Sequence, residues 1–126
     1  MKISQTKLDN IKACANDHGV ISAAAMDQRG SLQKAIAASG RDVTDDDLRA
    51  FKKSVTQVLT PHASAILLDP TWGLEAAAAR SDNAGLLLAY EESGYDNTTS
   101  GRLPSLIDGY SVQRIAEAGG NAIKIL

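Results

Sequence analysis

Short apolar runs that stop at a charged residue recur along this chain, and between them the spacing turns helical. Residues 20–26 (VISAAAM) run into Asp27, residues 65–68 into Asp69-Pro70, and residues 85–90 into Glu91-Glu92, while residues 122–126 carry Lys124 within the run. Runs this short, with no polar face, read as strands covered on both sides. Strands of that kind, separated by helical segments, require a parallel sheet and place the chain in the α/β class. In such sheets ligands bind at the carboxyl ends of the strands. The polar residues where each run stops, Asp27-Gln28-Arg29-Gly30 first among them, are therefore where chemistry is expected.

The helical segments lie between these runs. Thr6 and Asp9 have capping-box spacing ahead of a stripe of Leu8, Ile11 and Ala15. Gly19 suits the left-handed residue after a helix end, and His18 beside it reads as a C-terminal helix residue. Residues 31–38 form a short helix. Thr44 followed by Asp45, Asp46 and Asp47 starts a longer one, with the three acids answering the helix dipole rather than a metal. Its expected apolar face is Leu48, Phe51, Val55, Val58 and Leu59, and Pro61 stops it. Residues 72–80 and 111–118 complete the set. Residues 93–104 form a loop longer than a typical connection, of the kind that often carries function.

Composition removes several classes. The net charge of −2 leaves no basic footprint for nucleic acid, and 44% hydrophobic residues argue against disorder. Cys14 is the single cysteine, which excludes an internal disulfide and a Cys-based zinc site; in its helical setting it reads as a small buried hydrophobe. No long apolar run suggests a leader or a membrane span, so no membrane partner is expected and a cytoplasmic protein follows by default.

Two α/β architectures compete, an open doubly wound sheet and a (β/α)8 barrel. The residues after the first run, DQRGS, lack the spaced glycines of the dinucleotide fingerprint. That favours the barrel. A complete barrel takes about 250 residues, and four strands in 126 residues amount to half of one. The expected architecture is the N-terminal half of a (β/α)8 TIM barrel, with about four parallel strands and flanking helices in one partial domain over residues 1–126, apparently truncated after the fourth strand.

Lys124 gains its interest from strand alternation. Ala122, Lys124 and Leu126 share one face while Ile123 and Ile125 take the other. With the isoleucines turned to the helices, Lys124 points into the barrel. An ammonium enclosed there is destabilised unless an anion stands close. Such a lysine attacks carbonyls, or pairs with a catalytic acid or a substrate phosphate. A strand-end lysine that reaches solvent is the structural alternative.

The segments MDQRGSLQKAI, ASAILLDPTWGL, GLLLAYEESGYD, GRLP and NAIKIL together resemble the N-terminal part of the tagatose 1,6-bisphosphate aldolases, over essentially the whole chain. The resemblance implies a class I, Schiff-base aldolase on a (β/α)8 barrel. It implies reversible cleavage of a phosphorylated ketose to dihydroxyacetone phosphate and glyceraldehyde 3-phosphate, with no metal or other cofactor. It assigns Asp27 to orienting substrate hydroxyls and assisting proton transfer, and Lys124 to an auxiliary role in forming the imine. Gln28 and Arg29, in the same motif, are expected to bind a substrate hydroxyl or phosphate. The imine-forming lysine itself is expected beyond Leu126, so this chain alone is expected to be inactive. Alternatives are an aldolase for another phosphorylated or sulfonated ketose, and a non-catalytic half-barrel. The latter would assemble with a partner chain, as a homo-oligomer or with a missing C-terminal half.

Overall fold

Strands β1 (Ala23–Met26), β2 (Ala65–Leu68), β3 (Gly85–Ala89) and β4 (Ala122–Lys124) pair in parallel, in the order β1-β2-β3-β4. The computed structural model describes residues 2–94, 98 and 100–126. Of the expected loop over residues 93–104, Tyr95, Asp96, Asn97 and Thr99 lie outside the described residues. Helix α1 (Gln5–Ala13) precedes the sheet. Helices α2 (Gly30–Ala37) and α3 (Asp45–Leu59) link β1 to β2, a 3₁₀ segment (Leu74–Ala79) links β2 to β3, and α4 (Val112–Glu117) links β3 to β4. Strand order follows chain order with a helical crossover at each step, which is the arrangement of four successive units of a (β/α)8 barrel.

The register sorts the strand residues into two faces. Met26, Leu68, Leu88 and Ile123 form one row. Ala24, Ile66 and Leu86 form the row two residues earlier. Ile66, Leu68, Leu86 and Leu88 are fully buried and make the core with Ala76, Ala77 and Ile115 from the crossovers. On the opposite face lie Ala25, Leu67, Leu87 and Ala122, followed by Ala89 beside Lys124. In a (β/α)8 barrel this is the concave, inner face, and the longer polar side chains stand at its carboxyl end.

Several local expectations are corrected. The first strand is shorter than expected: residues 20–22 precede β1, and Val20 and Ile21 are exposed. The Thr6–Asp9 capping box does not form. Ser4 caps α1 by accepting from the Lys7 amide at 3.3 Å, and Asp9 instead accepts from the Gln5 side chain at 2.7 Å. With α1 ending at Ala13, His18 sits in the following turn, where its amide donates to Asn16 Oδ1. Residues 72–80 contain a 3₁₀ segment, Leu74–Ala79, rather than an α-helix.

The largest correction concerns α3. Of its five expected core residues only Leu48 is buried, while Phe51, Val58 and Leu59 are exposed. Lys52 and Thr56 are buried instead, four and eight residues after Leu48 and so on its face. Among the described residues, no helix is long and apolar enough to cross a membrane.

Candidate active site

β1 stops at Met26, and the next residue, Asp27, turns its carboxylate toward the far end of the sheet. Lys124, the last residue of β4, meets it with Nζ 3.2 Å from Asp27 Oδ2. The same ammonium lies 2.5 Å from Oε1 of Glu91, two residues past the end of β3. Glu91 is fully buried, and Lys124 is about a quarter exposed. Strand alternation explains the meeting: Asp27 follows Ala25, Glu91 follows Ala89, and Lys124 lies beside Ala89, all on the concave face.

The electrostatics of Lys124 follow from these contacts. Burial alone would push its pKa down. The hydrogen bonds it donates to Glu91 and Asp27, with the charge of both, more than reverse that and hold the ammonium above the usual lysine range. Lys124 is therefore a cation at neutral pH, shared between two carboxylates. It is suited to stabilising negative charge that develops beside it. It is poorly suited to attack as a free amine.

Arg29 belongs to the same cluster through its backbone partner. Its Nη2 donates to the Glu91 carbonyl at 2.8 Å, fastening the turn after β1 to the turn after β3. That second turn is itself fixed by an antiparallel bridge between Glu91 and Leu106 and by the Glu92 amide donating to the Ser105 carbonyl at 2.8 Å. Gln28 is exposed at the rim. Asp27, Gln28, Arg29, Lys34 and Lys124 line one open cleft of about 480 Å³. The four expected site residues are thus brought together, with three cations facing the cleft, a setting that suits an anionic ligand.

Two residues absent from the sequence expectation belong to this end of the sheet. Glu91 carries a readable signal, since an acid ends its run as Asp27 ends the first. Lys52 carries none. It sits on α3 next to Lys53, and in sequence the pair looks like a solvated face. In the structure Lys52 is fully buried, with Nζ 2.7 Å from the Met26 carbonyl, 2.7 Å from the Gln28 carbonyl and 2.5 Å from Asp69 Oδ2. Asp69 in turn accepts from the amides of Thr71 and Trp72 at 2.9 and 2.8 Å, which shapes the turn after β2. A Cβ at Gly73 would come within 2.8 Å of the Asp69 carbonyl, so only glycine closes that turn without displacement.

Comparison with known proteins now adds to this geometry. Residues 21–126 match the model of the DeoC/LacD family aldolases. The chain is 55% identical over 112 residues to tagatose 1,6-diphosphate aldolase 2 of Enterococcus faecalis, covering 89% of this chain and 34% of that protein. It is 48% identical over all 126 residues to tagatose 1,6-diphosphate aldolase of Listeria monocytogenes, or 37% of that protein. Against tagatose 1,6-diphosphate aldolase 2 of Streptococcus pyogenes it is 51% identical over 109 residues, or 86% of this chain and 33% of that one. The chain spans little more than a third of the length of these relatives.

Proposed function

Since the chain belongs to the DeoC/LacD aldolase family, we propose that it supplies part of a class I aldolase site that cleaves tagatose 1,6-bisphosphate to dihydroxyacetone phosphate and glyceraldehyde 3-phosphate. The observation that carries this reading is the Lys124 ammonium gripped between Asp27 and Glu91 at the carboxyl ends of three strands. In this reading a lysine from the part of the relatives that this chain does not span attacks the substrate ketone. Water is lost with one proton taken up from solvent, and a protonated imine results, which accepts the electron pair of the breaking C–C bond. Lys124 stays charged throughout, and lowers the cost of negative charge on the oxygen that departs as water. Asp27 accepts a hydrogen bond from a substrate hydroxyl and takes the proton released as that hydroxyl becomes a carbonyl. Gln28 orients a hydroxyl at the rim, and Arg29 and Lys34 attract a phosphate.

Lys52 is no candidate for the imine. Its ammonium donates to two backbone carbonyls, is ion-paired with Asp69, and is fully buried.

The test is borohydride trapping with dihydroxyacetone phosphate, on the natural gene product at its full encoded length, read by intact mass and peptide mapping. The expected adduct maps outside residues 1–126. Lys124→Met is expected to lower kcat for tagatose 1,6-bisphosphate cleavage by about a hundredfold or more. An adduct on Lys124 itself would overturn its auxiliary role. Absence of both adduct and cleavage would overturn the aldolase reading, and a substrate panel would show whether another phosphorylated or sulfonated ketose is preferred.

A further inference from the structure

We propose that Lys52 is a positioning residue, which holds the backbone on both sides of Asp27 and thereby aims the Asp27 carboxylate at Lys124. The two carbonyls it binds belong to Met26 and Gln28, the residues flanking Asp27, each at 2.7 Å. A β-strand end normally leaves such carbonyls to water or to the next strand. Here they are covered by α3, and Lys52 is the donor that α3 delivers to them. The same ammonium is ion-paired with Asp69, Nζ lying 2.5 Å from Oδ2.

The geometry explains why a charged pair is kept where Leu or Met would pack. A buried carbonyl without a donor is costly, and an apolar side chain at position 52 would leave two of them. An ammonium donates in several directions and accepts nothing, so it serves both carbonyls while facing the Asp69 carboxylate. The counter-charge on Asp69 makes burial of that cation tolerable. Asp69 is in turn held by the amides of Thr71 and Trp72. The chain of contacts runs from the turn after β2, through Lys52, to the backbone around Asp27, and from the Asp27 side chain to Lys124 at 3.2 Å. Among the groups facing Lys124 are Asp27 after β1 and Glu91 after β3. Lys52 touches neither carboxylate in the described contacts and acts through the main chain.

The part that Asp27 plays in cleavage rests on the aldolase reading above. Its aim at Lys124 does not, and the test reads the aim. In the natural gene product at full encoded length, amine reactivity of Lys124 is measured by competitive acetylation at pH 9, peptide by peptide, with exposed Lys53 as internal control. The paired variant Lys52→Met/Asp69→Asn removes both buried charges together and keeps the acceptor for Thr71 and Trp72. It is expected to raise Lys124 reactivity about tenfold, the effect of a one-unit fall in its pKa, with Lys53 unchanged. Asp27→Asn is expected to do the same, and the triple variant to add nothing further, because both routes remove one contact.

A folded paired variant with Lys124 reactivity unchanged would overturn the proposal. So would effects that multiply in the triple variant. Should the paired variant fail to fold, Lys52→Arg carries the same readout with the same two outcomes, since its planar fork cannot set one nitrogen between both carbonyls. Failure of imine trapping would remove the aldolase reading and leave this result standing.

Discussion

Glu91 and Asp27 contribute unequally to the state of Lys124. Glu91 is fully buried and 2.5 Å from the ammonium, whereas Asp27 is partly exposed and 3.2 Å away. The hydrogen bond to Glu91 does more than the one to Asp27 to keep Lys124 charged. Removing it should therefore leave more of the desolvation cost of the Lys124 cation uncompensated. Glu91→Gln keeps the side-chain shape and removes the charge. In that variant the pKa of Lys124 falls, so the cation is lost at a lower pH. The alkaline limb of the kcat/KM profile for ketose bisphosphate cleavage is expected to move to lower pH than in the parent, with Asp27→Asn moving it less. An unshifted alkaline limb in Glu91→Gln would show that Lys124 is not the group that must stay charged.

At the scale of elements, α3 matters most because it delivers Lys52. Its start is set by Thr44, whose Oγ1 accepts from the Asp47 amide at 3.2 Å while Asp47 Oδ2 accepts from the Thr44 amide at 2.9 Å. Hydrogen bonds from Thr44 hold the Asp47 carboxyl below its ordinary range. Thr44→Ala is expected to cost about 1 kcal/mol of stability at pH 7, measured by urea unfolding. A carboxyl with a depressed folded pKa stabilises above its unfolded value of 3.8 and stops doing so as pH falls through the folded one. The Thr44→Ala penalty should accordingly shrink in strong acid. The expected start of α3 and its cap were readable from Thr44 and the acids after it. Its buried face was not, because the tertiary contacts of this helix include carbonyls that need a donor as well as apolar surface.

Across the whole molecule, the pairing of Asp27 with Lys124 depends on curvature. β1 and β4 are separated by β2 and β3, and in a flat sheet three strand spacings would hold them roughly 14 Å apart. Their side chains would then stand parallel and never touch. A sheet curling toward the concave face tilts them together until the charges meet at 3.2 Å. The ion cluster in return ties β1, β3 and β4 at one end. A cation whose folded pKa is raised adds stability that is complete below its unfolded value of 10.5 and is lost as pH rises toward and through the folded one. The urea midpoint is expected to fall between pH 9 and pH 12 by more in the parent than in Lys124→Met. Equal losses in both would show that the cluster does not brace the sheet.

By itself, the sequence determined the four strands, the crossovers between them and the candidate positions of Asp27, Gln28, Arg29 and Lys124, because apolar runs, caps and strand alternation are local properties of the chain. The buried role of Lys52, the exposure of Phe51, Val58 and Leu59, and the grip of Glu91 on Lys124 were decided only by the tertiary structure. Each depends on which groups from distant segments are left needing a partner once the sheet has curved, and no local pattern records that demand.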